Sequence, residues 1–378
     1  MKKLIAILLC LAAVLSLCAC GKTEDYIATA ADKQQLEALY EGRQPYQGEF
    51  HDHANTGGTS DGTSNLDTWK SILKAKDMDF ATIVDHKQVL HMRLPEWDNS
   101  LFIGGSEAAT SITDSKATQK TMHYNMIFSQ PEQLEAVLLE FGPYFNYTQD
   151  HFRYPNFSTA EMKQLVQCIT DNGGFFVHVH PKGDSYMKSD DPLDYYFGDY
   201  TGFEVLCGYY NNMADKRNQE AYKVWTDLLA LGKRVYATAG SDSHKVSNTV
   251  SLTTIYSDKK DATALLNNVR NGDFTAGPIG IRMSIGDTCT GGETSFAGKR
   301  LVVSVGEFHS KECKSDDTYR LDLYRDNTLV HSQEIPYGEV SYIAVDADPN
   351  ASFYRAEVYN VTKNYQVSIG NPIWNADK

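Results

Sequence analysis

The stretch FHDHANTGGTSDG, residues 50–62, places two histidines at strand spacing, then a run of small and polar residues, then Asp61. Alternate side chains of an extended strand share a face, so His51 and His53 point the same way. The segment behind them is too small and polar to pack a core. Two imidazoles on one face before such a loop read as part of a metal site. The remaining ligands then have to come from elsewhere in the chain.

Other strand-like segments supply them in order. FATIVDH ends in Asp85 and His86, LFIGGSE ends in Glu107, and MHYN presents His123. FFVHVHP carries His178 and His180, and RVYATAGSDSH ends in Asp242 and His244. Parallel α/β folds gather functional side chains at the carboxyl ends of their strands. Of 11 histidines, only His91, His151, His309 and His331 fall outside the series. One histidine alone is more often a hydrogen-bonded structural residue. A converging set of imidazoles and carboxylates is costly to bury unless a cation pairs them.

The pattern around these segments predicts the fold. NLDTWKSILKAK is helix-like, with Leu66, Trp69, Ile72 and Leu73 on one face. Ser158 and Glu161 form a capping box opening the helix AEMKQLVQCITDN, which stops at Gly173-Gly174. A further helix lies at about 214–231. Strand, helix, strand over residues 46–277 predicts a parallel α/β architecture, with a barrel as its closed form. Past Gly277-Pro278 the chain shows alternating strand-like runs and no convincing helix, which predicts a small all-β, sandwich-like module over 278–378. Residues 21–45 read as a tether and a short helix, ADKQQLEALYEG.

The amino terminus, MKKLIAILLCLAAVLSLCACGK, has two lysines before an apolar run from Leu4 to Leu17, which suits a secretory signal over residues 1–20 and is short for a membrane span. Leu17-Cys18-Ala19-Cys20-Gly21 resembles a bacterial lipobox. That resemblance implies cleavage before Cys20, a lipid on its sulfur, and an extracytoplasmic protein anchored to a bacterial membrane. A net charge of −14 works against broad attraction to nucleic acid or anionic lipid, while leaving room for a local pocket that takes one anionic small molecule. Cys168, Cys207, Cys289 and Cys313 are dispersed without C-x-x-C spacing, so they form neither a zinc ribbon nor a disulfide framework. Cys168 and Cys207 sit in apolar segments and read as core. Cys289 and Cys313 are left open as a pair.

Taken together, HDH…SDG, IVDH, GSE, MHYN, HP and GSDSH resemble the motifs of the PHP (polymerase and histidinol phosphatase) superfamily, in order, over about residues 46–277. NVRNGDFTAGP and the ending YRAEVYN…VSIGNPIW are similar to its carbaryl-hydrolase-like branch. The resemblance implies a distorted (β/α)7 barrel holding two or three divalent ions. On it, His51, His53, Glu107 and Asp242 hold one ion, and Glu107 bridges to a second held also by His123 and His180. Asp61, His86 and His244 hold a third. His180 matches because it directly precedes proline. His178 departs from the family pattern. Two residues upstream on the same strand, it is expected to face the same side, as an extra ligand, a proton donor or a residue behind the ligands.

Imidazole and carboxylate donors suit Zn²⁺, Mn²⁺ or Fe²⁺. Such ions generate hydroxide at neutral pH and clamp the oxygens of a phosphoryl group. The resulting expectation is a hydrolase of small extracellular phosphoesters. Cleavage of carboxylic esters, carbamates or amides at the same site and a non-catalytic metal-containing binding protein are the alternatives. Lys182, Lys245 and Arg93 sit just past ligand motifs as candidate substrate cations, Lys182 foremost. Asp85 reads as a residue orienting a ligand histidine, and either it or His178 as a proton donor to the leaving group. Of the 23 tyrosines, Tyr195-Tyr196 and Tyr209-Tyr210 read as packing or as a wall for an organic leaving group.

Overall fold

The computed structural model describes residues 25–245 and 251–378, so the signal segment and Cys20 lie outside the described residues. The first half of the chain runs through β1 (Gln44–Asp52), β2 (Phe80–Ile83), β3 (Phe102–Ile112), β4 (Thr121–Phe128), β5 (Asn156–Phe157), β6 (Phe175–Val179), β7 (Thr201–Cys207), β8 (Val235–Gly240), β9 (Thr253–Ser257) and β10 (Phe274–Ala276). Helices between these strands begin where the sequence supplies caps. Asn65 accepts from Thr68 N to start Leu66–Lys76, Ser158 and Glu161 close a capping box on Thr159–Asp171, and Asp215 caps Lys216–Ala230. The apolar faces of these helices (Trp69 and Leu73, Leu165 and Ile169, Trp225 and Leu228) are buried against the sheet.

The sheet is mixed rather than parallel. β1, β2 and β3 pair in parallel, as do β6, β7 and β8. β4 is antiparallel to both β3 and β6. The reason is the connection. β3 and β4 are joined by residues 113–120 with no helix between them, which is too short for the crossover a parallel pair needs. β9 and β10 add antiparallel strands beyond β1.

The end of β8 returns to the end of β1. The Asp242 amide donates to the His51 carbonyl at 2.8 Å, the His53 amide donates to the Ser243 carbonyl at 3.0 Å, and Asp52 and Ser243 form a parallel bridge. This contact brings the first and last ligand-bearing segments of the series side by side.

The second half comprises β11 (Ile279–Ile285), β12 (Thr288–Cys289), β13 (Glu293–Thr294), β14 (Arg300–Phe308), β15 (Tyr319–Arg325), β16 (Thr328–Ile335), β17 (Ser341–Asp346), β18 (Phe353–Asn360), β19 (Tyr365–Gly370) and β20 (Ile373–Asn375). β12, β11, β14 and β17 form a separate sheet, whereas β19 pairs with β10 and carries the larger sheet across the 277/278 junction. Ile281, Met283, Val303 and Ile343 of the small sheet pack against Leu321, Leu323, Ala356 and Val358 of the large one, giving the sandwich-like core.

The segment expected to be a tether is docked over its helical part. Helix Ala30–Leu39 and Tyr40 pack Leu36 and Tyr40 against Tyr256, Val302 and Ala344. Arg300 and Arg282 reach back to Asp32 and Glu37 at 2.9 and 2.8 Å. Cys168, Cys207 and Cys313 are buried and Cys289 is half-buried. All four are free, so the open Cys289–Cys313 pairing is not made.

Asp273 lies in the same seam, buried, accepting from the Tyr40 hydroxyl at 2.8 Å and paired with Arg43. Burial pushes its carboxyl up to about 6, against the pull of Tyr40 and Arg43. The folded protein therefore keeps a proton that the unfolded chain has already released. This contribution to stability is present below the unfolded value and lost as pH rises through about 6. Asp273→Asn should gain thermal stability relative to wild type between pH 4 and pH 7, by up to about 3 kcal/mol; parallel melting curves across that range check it, and an unchanging difference would contradict it.

Candidate metal centre

From the carboxyl ends of β1, β2, β6 and β8, the middle of β3 and the start of the antiparallel β4 come three groups of ligand atoms. They are His51, His53, Glu107 and Asp242; Glu107, His123 and His180; and His53, Asp61, His86 and His244, with the atoms of each group within 4.8 Å of one another. Every residue expected as a ligand from the sequence is among them. His53 faces two groups, where the resemblance placed it in one.

Glu107 joins the first two groups. Its Oε2 lies 3.2 Å from His51 Nε2 and 3.0 Å from His53 Nε2, and its Oε1 lies 2.6 Å from His123 Nδ1 and 3.0 Å from His180 Nε2. Asp242 Oδ1 sits 3.3 Å from His53 Nε2 and 3.7 Å from His51 Nε2. Asp61 Oδ2 faces His244 Nε2 at 3.2 Å and His86 Nε2 at 3.5 Å. The rings of His86 and His244 lie nearly parallel to His53, with centroids at 4.7 and 4.3 Å.

Backbone geometry explains how the side chains arrive. In the β3–β4 register Ala109 opposes His123, so Glu107 and His123 share a face. In the β4–β6 register Val179 opposes His123 and His178 opposes Tyr124. His178 therefore points to the other face, contrary to the expectation that it would join His180. It packs among Tyr195, Phe197 and Phe203, its Nδ1 is 3.4 Å from the Tyr195 carbonyl, and burial lowers its pKa to about 3. It is a neutral core histidine, and neither a ligand nor a proton donor at this cluster. His180 reaches the cluster because the strand ends at Val179 and His180 adopts a left-handed conformation, φ 30°. Asp242 is also left-handed, φ 50°. Such backbone strain in non-glycine residues costs of order 1–3 kcal/mol each and persists where surrounding structure imposes it.

Glu107, Asp242 and Asp61 are held charged by neighbouring imidazoles, and His51, His53, His180 and His244 by neighbouring carboxylates. Burial alone would raise the Glu107 carboxyl, but His86 and His123 with the bonds from His123 and His180 hold it well below the carboxylate range. Burial opposes charge on Asp242 too, yet His53, His51 and His180 bring it to about 2. His53 is disfavoured as a cation by burial but raised to about 10 by Asp242 and Glu107. His51 and His180 are likewise raised against burial, His51 chiefly by Glu204 and His180 by Glu107. Asp61 raises His244, whereas burial lowers His86. A divalent cation fits this set. Nδ1 of His53 and Nδ1 of His180 are buried without a hydrogen-bond partner, and the donors are imidazole and carboxylate throughout.

The expected accessory residues separate. Lys182 Nζ bonds the Tyr195 hydroxyl at 2.6 Å and the Ser189 carbonyl at 3.3 Å, and it lines a neighbouring cavity rather than the one holding the histidines. Arg93 is paired with Glu135 and Asp150, and Lys245 is exposed. Asp85 accepts from Ala54 N at 2.7 Å and from the Thr56 hydroxyl, so it fixes the loop after His53 rather than orienting a histidine. Tyr195 is buried, and Tyr209 and Tyr210 line the ligand cavity.

The residue that orients a ligand is Glu204 on β7, unassigned from the sequence. Its Oε1 is 2.9 Å from His51 Nδ1 and its Oε2 accepts from the His180 amide at 2.7 Å. The one available signal was a carboxylate inside the apolar run GFEVLCG. Tyr154, whose hydroxyl lies 3.1 Å from His86 Nδ1, and Tyr186, 4.6 Å from the rings of both His123 and His180, were also unassigned.

A scan against family models finds no match for this chain, and no curated protein matches it. Among solved structures, the chain is similar to a two-domain protein from Bacteroides vulgatus ATCC 8482 containing a predicted PHP-like metal-dependent phosphoesterase. The identity is 13%, with 94% of this chain and 99% of that one covered at a TM-score of 0.44. An engineered protein is similar at 12% identity over 58% of this chain and 44% of that one, with a TM-score of 0.16. At such distances the site's own geometry has to carry the function.

Metal uptake should release protons, because the raised imidazoles must lose them to coordinate, and affinity should climb with pH. Titration calorimetry with Mn²⁺ in two buffers of different ionisation heat reads this directly; no buffer dependence would refute the protonated histidine cluster. Glu204→Gln should weaken binding about 10–100-fold. Gly240→Ala should do at least as much, because its new Cβ would stand 2.4 Å from His51 Cβ and 2.9 Å from Glu204 Oε1.

Proposed function

We propose that this chain is a metal-dependent hydrolase of small phosphoesters. The observation that carries the reading is Glu107, whose two oxygens each serve a different set of imidazoles at the floor of an open cavity of about 420 Å³. His51, His53, Glu107 and Asp242 would hold one ion, Glu107, His123 and His180 a second, and Asp61, His86 and His244 a third. When bound, ions of this kind supply Lewis acidity toward a phosphoryl group and lower the pKa of water.

The chain's own residues prepare the ground for that chemistry. Glu204 sets the orientation of the His51 ring from behind and pins the turn at His180. Tyr154 does the same for His86 through its hydroxyl. The ring of Tyr186 covers His123 and His180 and narrows access of water from that side. Tyr209, 68% exposed, presents an aromatic face at the mouth, where an organic leaving group can rest.

The same reading includes the distorted seven-stranded barrel for residues 46–277, membership of the PHP superfamily in its carbaryl-hydrolase-like branch, and export with a lipid on Cys20. These rest on the sequence motifs. Hydrolysis of p-nitrophenyl phosphate with Mn²⁺ or Zn²⁺ tests the activity beside p-nitrophenyl acetate. Phosphatase turnover that chelation abolishes, metal restores and Glu107→Gln reduces at least about 10³-fold is the expected result, with two or three ions per chain by elemental analysis. Turnover of the acetate alone would move the substrate class to carbonyl esters. Absence of bound metal would end the proposal.

A further inference from the structure

Arg217 is the one lysine or arginine among the described residues lining the cavity over the histidine cluster. It stands in the first turn of helix Lys216–Ala230 and is held rigidly on one side only. Its Nε and Nη2 donate to the two oxygens of Asp215 at 2.9 Å each, and its guanidinium lies 3.9 Å from the Tyr210 ring centroid. The remaining edge donates through Nη1 to Asp184 Oδ2 at 3.2 Å. The two carboxylates differ in kind. The Asp215 side chain is 22% exposed and caps the helix through Arg217 N, whereas that of Asp184 is 81% exposed. An ion pair with so exposed a partner contributes little to stability. Asp184 also lines the cavity, so the pair stands within reach of whatever enters it.

We propose that Arg217 is the anion receptor of this cavity and that Asp184 is its exchangeable placeholder. Asp215 and Tyr210 hold the guanidinium in a fixed plane. An entering anion with more charge than a carboxylate takes the Nη1 edge and displaces Asp184 into solvent. This deepens the hydrolase reading and rests on it for the reaction. It makes the preferred substrate a phosphoester with ionised oxygens turned toward Arg217, rather than a neutral carbamate or carboxylic ester. An arginine fork suits that geometry because it offers paired donors in a plane, where a lysine offers one point charge.

The test is the affinity of the Mn²⁺-loaded chain for inorganic phosphate, measured by titration calorimetry. Arg217→Gln should weaken binding about tenfold or more, and Arg217→Lys should fall between it and wild type. Asp184→Asn, at an exposed position where folding is not at stake, should tighten binding about threefold by removing the competing carboxylate. Phosphate affinity unchanged in both Arg217 variants, or weakened in Asp184→Asn, would overturn the proposal. The outcome is separate from that of the hydrolase reading. Arg217-dependent phosphate binding without phosphoester turnover would leave the receptor standing and remove the enzyme. Turnover with phosphate binding indifferent to Arg217 would do the reverse.

Discussion

A carboxylate that is 1% exposed and still ionised is the constraint around which this molecule is arranged. Glu107 sits at the middle of β3, where an isolated charge would be expelled or neutralised. It stays charged because imidazoles from β1, from the segment after β2, from β4 and from the turn after β6 reach it. None of these is near it in sequence. Meeting that condition requires β4 to fold back beside β3, β6 to stop one residue before His180, and the end of β8 to return to β1 with Asp242. The strained backbone at His180 and Asp242 is the local cost of aiming two ligands at one point. Glu204 is the support that holds the turn at His180 in place.

Much of this was legible in the chain because alternation is a strong rule inside a strand. His51 and His53 share a face as the spacing requires, although His53 stands one residue past the end of β1, and Glu107 with His123 follow from pairing two adjacent strands. The rule failed at its edge. His178 and His180 are also two apart, but the strand ends between them, and a left-handed residue turns His180 to the face opposite His178. No one-dimensional pattern marks that turn. The parallel sheet was misread for a related reason, since LFIGGSE was read as ending at Glu107 whereas β3 runs on to Ile112 and leaves only residues 113–120 before β4. Glu204 looked like a minor irregularity in an apolar run, and its role exists only through two contacts with residues far off in sequence. Lys182 shows the converse. Its position just past a ligand motif was suggestive, yet the hydroxyl of Tyr195 captures its ammonium.

The β-module bears on the site through the helix that carries Arg217. Tyr222, five residues along that helix, donates its hydroxyl to Glu357 of β18 at 2.6 Å, and Glu357 is paired with Arg355 in full burial. The Arg355 guanidinium lies 4.0 Å from Tyr324 and 5.3 Å from Trp225, between a strand of the module and the helix. Arg355 and Glu357 stand two apart on β18, so the helix is tied to them by the Tyr222 hydroxyl and the ring of Trp225, and sliding it would take that donor from the buried Glu357. Those contacts set the position of helix Lys216–Ala230 against β18. On the other side of the seam, Asn371 accepts from the Ala237 amide of β8 at 2.8 Å, so the module also holds the strand that delivers Asp242. The two elements that the module grips are therefore the one bearing the cavity's cation and the one ending in a ligand carboxylate. Their spacing sets the distance between the Arg217 guanidinium and the Asp242 carboxylate. The part of the chain that carries none of the clustered histidines thus helps to fix the dimensions of the site.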